Sequence, residues 1–171
     1  DRGLGKLDDS AAVFQKAIDL EPTFIHFRNL GMVLAEAGRY PEAEQALERS
    51  IEMRPNHYRA WGLLASVYAN QRADAAKVRE TYLKAIALAA DLLKRTPKDE
   101  YLLADVGGYS AAMGKEKESL PLLAQAAAPA PYIPEVLYQV AVGYETLHHR
   151  DEPLHWLATG RSGGHTSEAI V

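Results

Sequence analysis

The residues of this chain best suited to binding a metal or moving a proton are its six histidines. His148, His149 and His155 lie close together, and His165 follows them near the C-terminal end. Two ligands on one helical face need a spacing of three or four residues. His148 and His149 are adjacent across a turn, His155 falls on the next helix, and no carboxylate completes a set. His26, near a helix start, and His57, just beyond Pro55, are isolated; both read as structural or solvent-facing. There are no cysteines, which excludes a thiolate metal site, a cysteine nucleophile and a disulfide framework. Gly107-Gly108 lies inside a helical stretch and does not open a helix after a strand, so it is no phosphate loop. No serine stands in a Gly-x-Ser-x-Gly context. Paired acids such as Asp8-Asp9 and Glu116/Glu118 sit at turns and helix starts, where the helix dipole favours them. The sequence therefore predicts a protein that is not an enzyme, with no catalytic residue, no metal site and no cofactor.

Composition narrows the remaining classes. The chain has 171 residues, 47% hydrophobic and 25% charged, close to the average for globular proteins and too apolar for a disordered chain. No apolar run reaches the ~18 residues of a membrane-spanning helix. The net charge of −4 argues against non-specific nucleic-acid binding. These features read as a soluble protein and leave the compartment open, with the cytoplasm favoured. The chain opens at Asp1 inside a repeat, which reads as a cut within a longer polypeptide.

The order of residues supplies an architecture. When Phe24–His57 is laid over Glu100–Ile133, Gly31 meets Gly107, Gly38 meets Gly114, Leu47 meets Leu123 and Pro55 meets Pro131. Tyr58 onward fits the same frame with Trp61, Leu64, Ala65 and Tyr68, and Pro134 onward with Leu137, Val140, Ala141 and Tyr144. Phe27, Leu30, Met32 and Leu34 recur on a helical period, as do Ala43, Leu47 and Ile51. Gly38 ends the first of these helices, Pro41 suits the first turn of the second, and Pro55 closes it. Gly31, Ala43 and Ser50 are small where two helices must approach closely. Each unit is then a pair of antiparallel helices that buries its apolar face by stacking on the next.

A bulky residue, Leu-Gly, a Tyr, a small residue after the turn and a closing Pro, repeated at about 34 residues, resemble the tetratricopeptide repeat. The resemblance implies an all-α, right-handed superhelical solenoid of antiparallel helix pairs in a single array. Residues 1–23 carry a partial repeat, the second helix only, in which Val13, Phe14 and Ile18 lack a first-helix partner; this end offers a route to self-association. Repeats follow at 24–57, 58–99 and 100–133, then a divergent last repeat at 134–160 and a flexible tail at 161–171. The 58–99 repeat is longer than its neighbours, with one extra residue near Arg72–Asp74 and about two helical turns more between Ala85 and Pro97. This spacing predicts one long helix over Ala75–Lys94, overhanging by roughly 10 Å. In the last repeat His148 replaces the turn glycine and Pro153 a small residue.

In proteins of this family the first helices of the repeats line a concave groove. Carried over, the groove positions are Arg28, Asn29, Met32 and Glu36 in the first full repeat, and Arg59, Gly62, Ser66 and Asn70 in the second. The third contributes Tyr101, Ala104, Asp105 and Gly108, and the fourth Tyr138, Gln139, Val142 and Glu145. The resemblance thus implies a non-catalytic interaction module, a scaffold or adaptor that holds a peptide or partner domain among small central residues. Tyrosine anchors flank them, and Arg28 and Arg59 stand at one end. The carboxylate clamp by which relatives hold heat-shock chaperone C-termini would fall on Arg28, Met32, Leu63, Tyr101 and Asp105. Only Arg28 is similar, and Asp105 has the wrong sign, so that clamp is absent. An alternative is the regulatory or substrate-docking tail of a larger signalling enzyme. Tyr144 and Leu147 through Trp156-Leu157 resemble the ending of bacterial signalling proteins, including serine/threonine kinases with C-terminal repeats.

Overall fold

The recurring glycines, prolines and short polar residues punctuate the chain into helices. The computed structural model describes residues 2–128 and 133–148, and among these residues there are eight helices and no strand. The chain divides into two compact units, Asp1–Pro97 and Lys98–Val171. The first holds α1 (Arg2–Leu20), α2 (Phe24–Glu36), α3 (Tyr40–Met53), α4 (Tyr58–Asn70) and α5 (Ala75–Leu93). The second holds α6 (Glu100–Ala112), α7 (Glu116–Ala127) and α8 (Pro134–Thr146). Pro153, His149, His155, His165 and the tail lie outside the described residues, as does Pro131.

Helix starts are set by side chains that satisfy the orphan amides of the first turn. The Thr23 hydroxyl accepts from the His26 amide at 3.3 Å, Asp74 from the Ala76 amide at 2.7 Å, and Asp99 from the Leu102 amide at 3.0 Å. Helix ends share a second device. Gly38 (φ 75°) and Gly114 (φ 69°) take the left-handed conformation. The next amides, of Arg39 and Lys115, then reach back to the Leu34 and Ser110 carbonyls at 2.8 and 2.9 Å, which closes a Schellman turn. Arg72 holds the same turn without a glycine, at φ 56°, with the Ala73 amide on the Tyr68 carbonyl at 3.0 Å. His148, at φ 64°, is the other described non-glycine residue in this region. A side chain there costs about 1–2 kcal/mol relative to glycine.

Turns this short, between helices that pack on each other, make successive helices antiparallel neighbours. In the first unit one apolar cluster joins Ala11 and Ile18 of α1, Leu30, Val33 and Leu34 of α2, Ala43, Ala46 and Leu47 of α3, and Leu64, Val67 and Tyr68 of α4. Ile18 is therefore covered, because α1 packs against α2; Val13, on the far face of α1, is 63% exposed. Leu47 has no exposed surface, and a Cβ on Gly31 would lie 2.6 Å from its Cγ, so only glycine lets α2 and α3 approach this closely. The Ser50 hydroxyl adds a bond to the Phe24 carbonyl at 2.7 Å. α5, with 19 residues against 13 in α4, exceeds its partner by about 9 Å at 1.5 Å per residue.

The second unit repeats the device. Leu123 of α7 is fully buried, facing Gly107 of α6 and Gly143 of α8, where added Cβ atoms would come within 2.8 and 2.7 Å of its methyl groups. The Ser119 hydroxyl donates to the Gly107 carbonyl at 2.7 Å.

Candidate functional site

The first-helix residues marked by the sequence fall into two groups, one per unit. In the first unit, Arg28 and Asn29 stand side by side on α2, where the Arg28 guanidinium donates to Asn29 Oδ1. Met32 is half-buried one turn further on. On α4, Arg59 is half-buried and Gly62 is buried. Ser66 hydrogen-bonds with the buried Tyr82 of α5. Asn70 receives a hydrogen bond from the Tyr40 hydroxyl of α3 at 3.4 Å and donates to the Ser66 carbonyl at 2.9 Å. Ser66 and Asn70 are thus engaged in holding helices together.

Around Arg28 and Arg59 the structure assembles residues that the periodic pattern passes over. The His57 ring lies 5.1 Å from the Phe24 ring and stacks on Tyr58 at 6.2 Å. The Arg54 guanidinium covers the Phe24 ring at 4.6 Å. Arg59 donates through Nε to the Tyr58 hydroxyl at 2.9 Å, its guanidinium carbon 5.6 Å from that ring. Burial first, then the charges of Arg28, Arg54 and Arg59, push the His57 imidazole down to about 4, so it is neutral at pH 7. Its Nδ1 is buried and has no hydrogen-bond partner among the described residues. The signal in the sequence was the run Arg54-Pro55-Asn56-His57-Tyr58-Arg59, basic at both ends and aromatic within.

In the second unit the marked residues of α6 form one stripe, at helical spacing, of which only parts reach solvent. Tyr101 is 38% exposed, Gly108 is partly exposed with open space where a Cβ would sit, and Ala104 and Asp105 are buried. On α8, Tyr138 is 72% exposed and Val142 45%, one turn apart on one face. Gln139 beside them is half-buried, its Oε1 without a hydrogen-bond partner among the described residues. Glu36 and Glu145 are exposed at the ends of their helices.

Among the described residues no group of three or more His, Asp or Glu could hold a metal ion. No described helix is long and apolar enough to cross a membrane. What the geometry offers is contact: basic and aromatic side chains in one unit, exposed aromatic and aliphatic ones in the other.

Antiparallel helix pairs recurring along the chain, with the same closing turn after α2, α4 and α6 and the same glycine–leucine contact in the α2–α3 and α6–α7 pairs, define the all-α class of helix-pair solenoids. The family model of the tetratricopeptide repeat matches residues 2–50 and 28–100, together more than half of the chain. The chain belongs to the tetratricopeptide repeat family. Over 87 residues, half of its length, it is 29% identical to human tetratricopeptide repeat protein 7B, and it spans about a tenth of that relative. Among solved structures it is similar to TTC0263, a thermophilic TPR protein of Thermus thermophilus. That likeness has a TM-score of 0.67 at 20% identity and covers 94% of this chain and 84% of the other. It is also similar to the MamA RS-1 ArsTM double mutant, at a TM-score of 0.52 and 14% identity over 92% of this chain and 85% of that one. At these identities the structural likenesses show the fold alone.

Proposed function

We propose that this chain is a non-catalytic interaction module that holds a peptide or partner domain on the first-helix faces of its repeats. The repeat fold generally mediates protein–protein interaction. The observation that carries the reading is on α8, where Tyr138 stands 72% exposed with the exposed Val142 one turn on. A tyrosine this open brings a large, stiff contact area to a partner and little to the chain's own core. Met32, Arg28, Asn29 and Arg59 offer the corresponding face in the first unit, and Tyr101 and Gly108 extend that of the second. Gly62, Ala104 and Asp105, being buried, shape the backbone beneath these faces, while Ser66 and Asn70 hold neighbouring helices. Self-association through the outer face of α1 has the exposed Val13 in its support, with Ile18 already covered. The regulatory-tail alternative has no described feature in its favour, since its residues beyond His148 lie outside the described part.

A random-peptide display library panned against the whole chain tests the reading. Peptides should be enriched that lose binding with Tyr138→Ala while the far-UV circular dichroism of the variant stays that of the parent. Enriched peptides indifferent to Tyr138→Ala and to Arg59→Gln alike would remove the first-helix faces as the site.

A further inference from the structure

α1 packs on α2 through Ala11 and Ile18 and turns its other side to solvent. Along that side Lys6, Val13 and Leu20 recur at seven residues, with Asp9 and Lys16 between them, and all five are exposed. Seven residues are two helical turns to within ~20°, so the five form one stripe. Its two apolar members are wide open, Val13 at 63% and Leu20 at 88%. We propose that this stripe pairs the chain with a second copy of itself, α1 against α1 and antiparallel, about a two-fold axis passing between Ala12 and Val13. The inference deepens the reading of self-association through α1 by fixing its register, and it stands apart from peptide binding on the first-helix faces.

The order of the charges supports it. About that axis, residues equally far from it on either side meet. Asp9 comes opposite Lys16 of the second copy, and Lys6 opposite Asp19 of the second copy. Between them, Val13 comes opposite the second copy's Ala12. A two-fold axis makes every contact occur twice, so each cation on the stripe finds an acid in both directions. Laid parallel and in register, the same stripe would set Asp9 on Asp9 and Lys16 on Lys16; like charges so placed are repulsive, and this selects the antiparallel arrangement. The charges are available for it. Lys6, Asp9 and Lys16 make no ion pair among the described residues, whereas Asp8, which lies off the stripe, is taken by Arg39 at 3.3 Å. Asp19 accepts from the neutral Gln15 amide at 3.1 Å, which steadies its carboxylate without cancelling the charge. At the ends, Leu20 comes opposite Gly5 of the second copy. Nothing lies within 4 Å of a Cβ added to Gly5, so this stretch of backbone is open to receive the leucine. One helix pair is smaller than the standard interface of about 1,200–2,000 Å², so the dimer is a weak one in which charge decides the register.

The test is sedimentation equilibrium of the whole chain from micromolar to millimolar concentration. The parent should form dimers as concentration rises, and less readily as salt rises. Asp9→Lys and Lys16→Asp, each alone, should weaken the dimer by about tenfold or more, because each sets like charges together at two symmetric places. Both sites are exposed, so far-UV circular dichroism should stay that of the parent. Mixed in equal amounts, the two variants should pair with each other and regain the parent's affinity, since each supplies the charge the other lacks. Damage to the fold would not be repaired by mixing. Tyr138→Ala, in the other unit, should dimerise as the parent does. Single variants that dimerise like the parent, or a mixture no better than its components, would overturn the register. If Val13→Glu then still abolishes the dimer, self-association through α1 survives without it. A parent that stays monomeric up to millimolar concentration removes both.

Discussion

Two adjacent glycines in α6 should respond to the same substitution with opposite signs. Alanine in place of a mid-helix glycine gains about 0.5–1 kcal/mol by restricting the unfolded chain and favouring the helix. At Gly108 nothing lies within 4 Å of an added Cβ, so Gly108→Ala should keep that gain. At Gly107 the new methyl would meet Leu123 at 2.8 Å (Cδ2), 2.9 Å (Cγ) and 3.3 Å (its backbone nitrogen). Leu123 has no exposed surface and cannot retreat toward α8, because its Cδ1 already lies 2.7 Å from where a Cβ on Gly143 would be. With both directions closed, the overpacking cost should stand high in the usual range of about 1–3 kcal/mol. Set against the propensity gain, Gly107→Ala should lose about 1–2 kcal/mol. The two variants should then differ by about 2–3 kcal/mol, read from urea unfolding followed by far-UV circular dichroism. A Gly107→Ala protein as stable as Gly108→Ala would refute the argument that Leu123 is held from both sides.

Lowering the pH should destabilise the first unit through His57. With its folded pKa near 4 against 6.5, the unfolded chain takes the proton first, so this contribution is complete above pH 6.5 and is lost as pH falls through 6.5 toward 4. Screening of a half-exposed ring brings the ceiling of ~3 kcal/mol down to ~1–2 kcal/mol. His57→Gln should lose correspondingly less stability between pH 7 and 5; a loss as steep as the parent's would count against the assignment. Asp99→Ala removes the carboxylate that accepts the Leu102 amide at 3.0 Å and should cost about 1 kcal/mol in urea unfolding, with Asp99→Asn keeping most of it. Ser119→Ala, which deletes the hydroxyl bonded to the Gly107 carbonyl at 2.7 Å, should cost about 0.5–1.5 kcal/mol, and no measurable loss would show that the bond merely replaces one to water.

The fold was legible because the residues that recur are the ones that touch. Gly31 and Leu47 stand apart in sequence at the same interval as Gly107 and Leu123, and each glycine is the floor on which its leucine rests. Turn closure was legible for a similar local reason, since Gly38 and Gly114 occupy positions where the backbone is left-handed. The corner around His57 was not, because Phe24 begins one helix while Arg54 follows the end of another, and no periodicity links them. Helical phase marks the side of a helix on which Ala104 or Tyr138 stands. Whether that side is covered depends on what packs there, which is why two residues marked alike differ so widely in exposure. The single apolar stripe of α1 likewise gave no warning that Ile18 would be covered and Val13 left open.

Leu123 has a mechanical consequence. Its side chain sits in one socket on α6 and another on α8, so it acts as a dowel through three helices. Under tension along the chain, α8 cannot peel from the preceding pair one turn at a time; the dowel must first be drawn. The three helices therefore resist up to a single threshold and then part together, and the second unit behaves as a brittle link in which elastic extension is small.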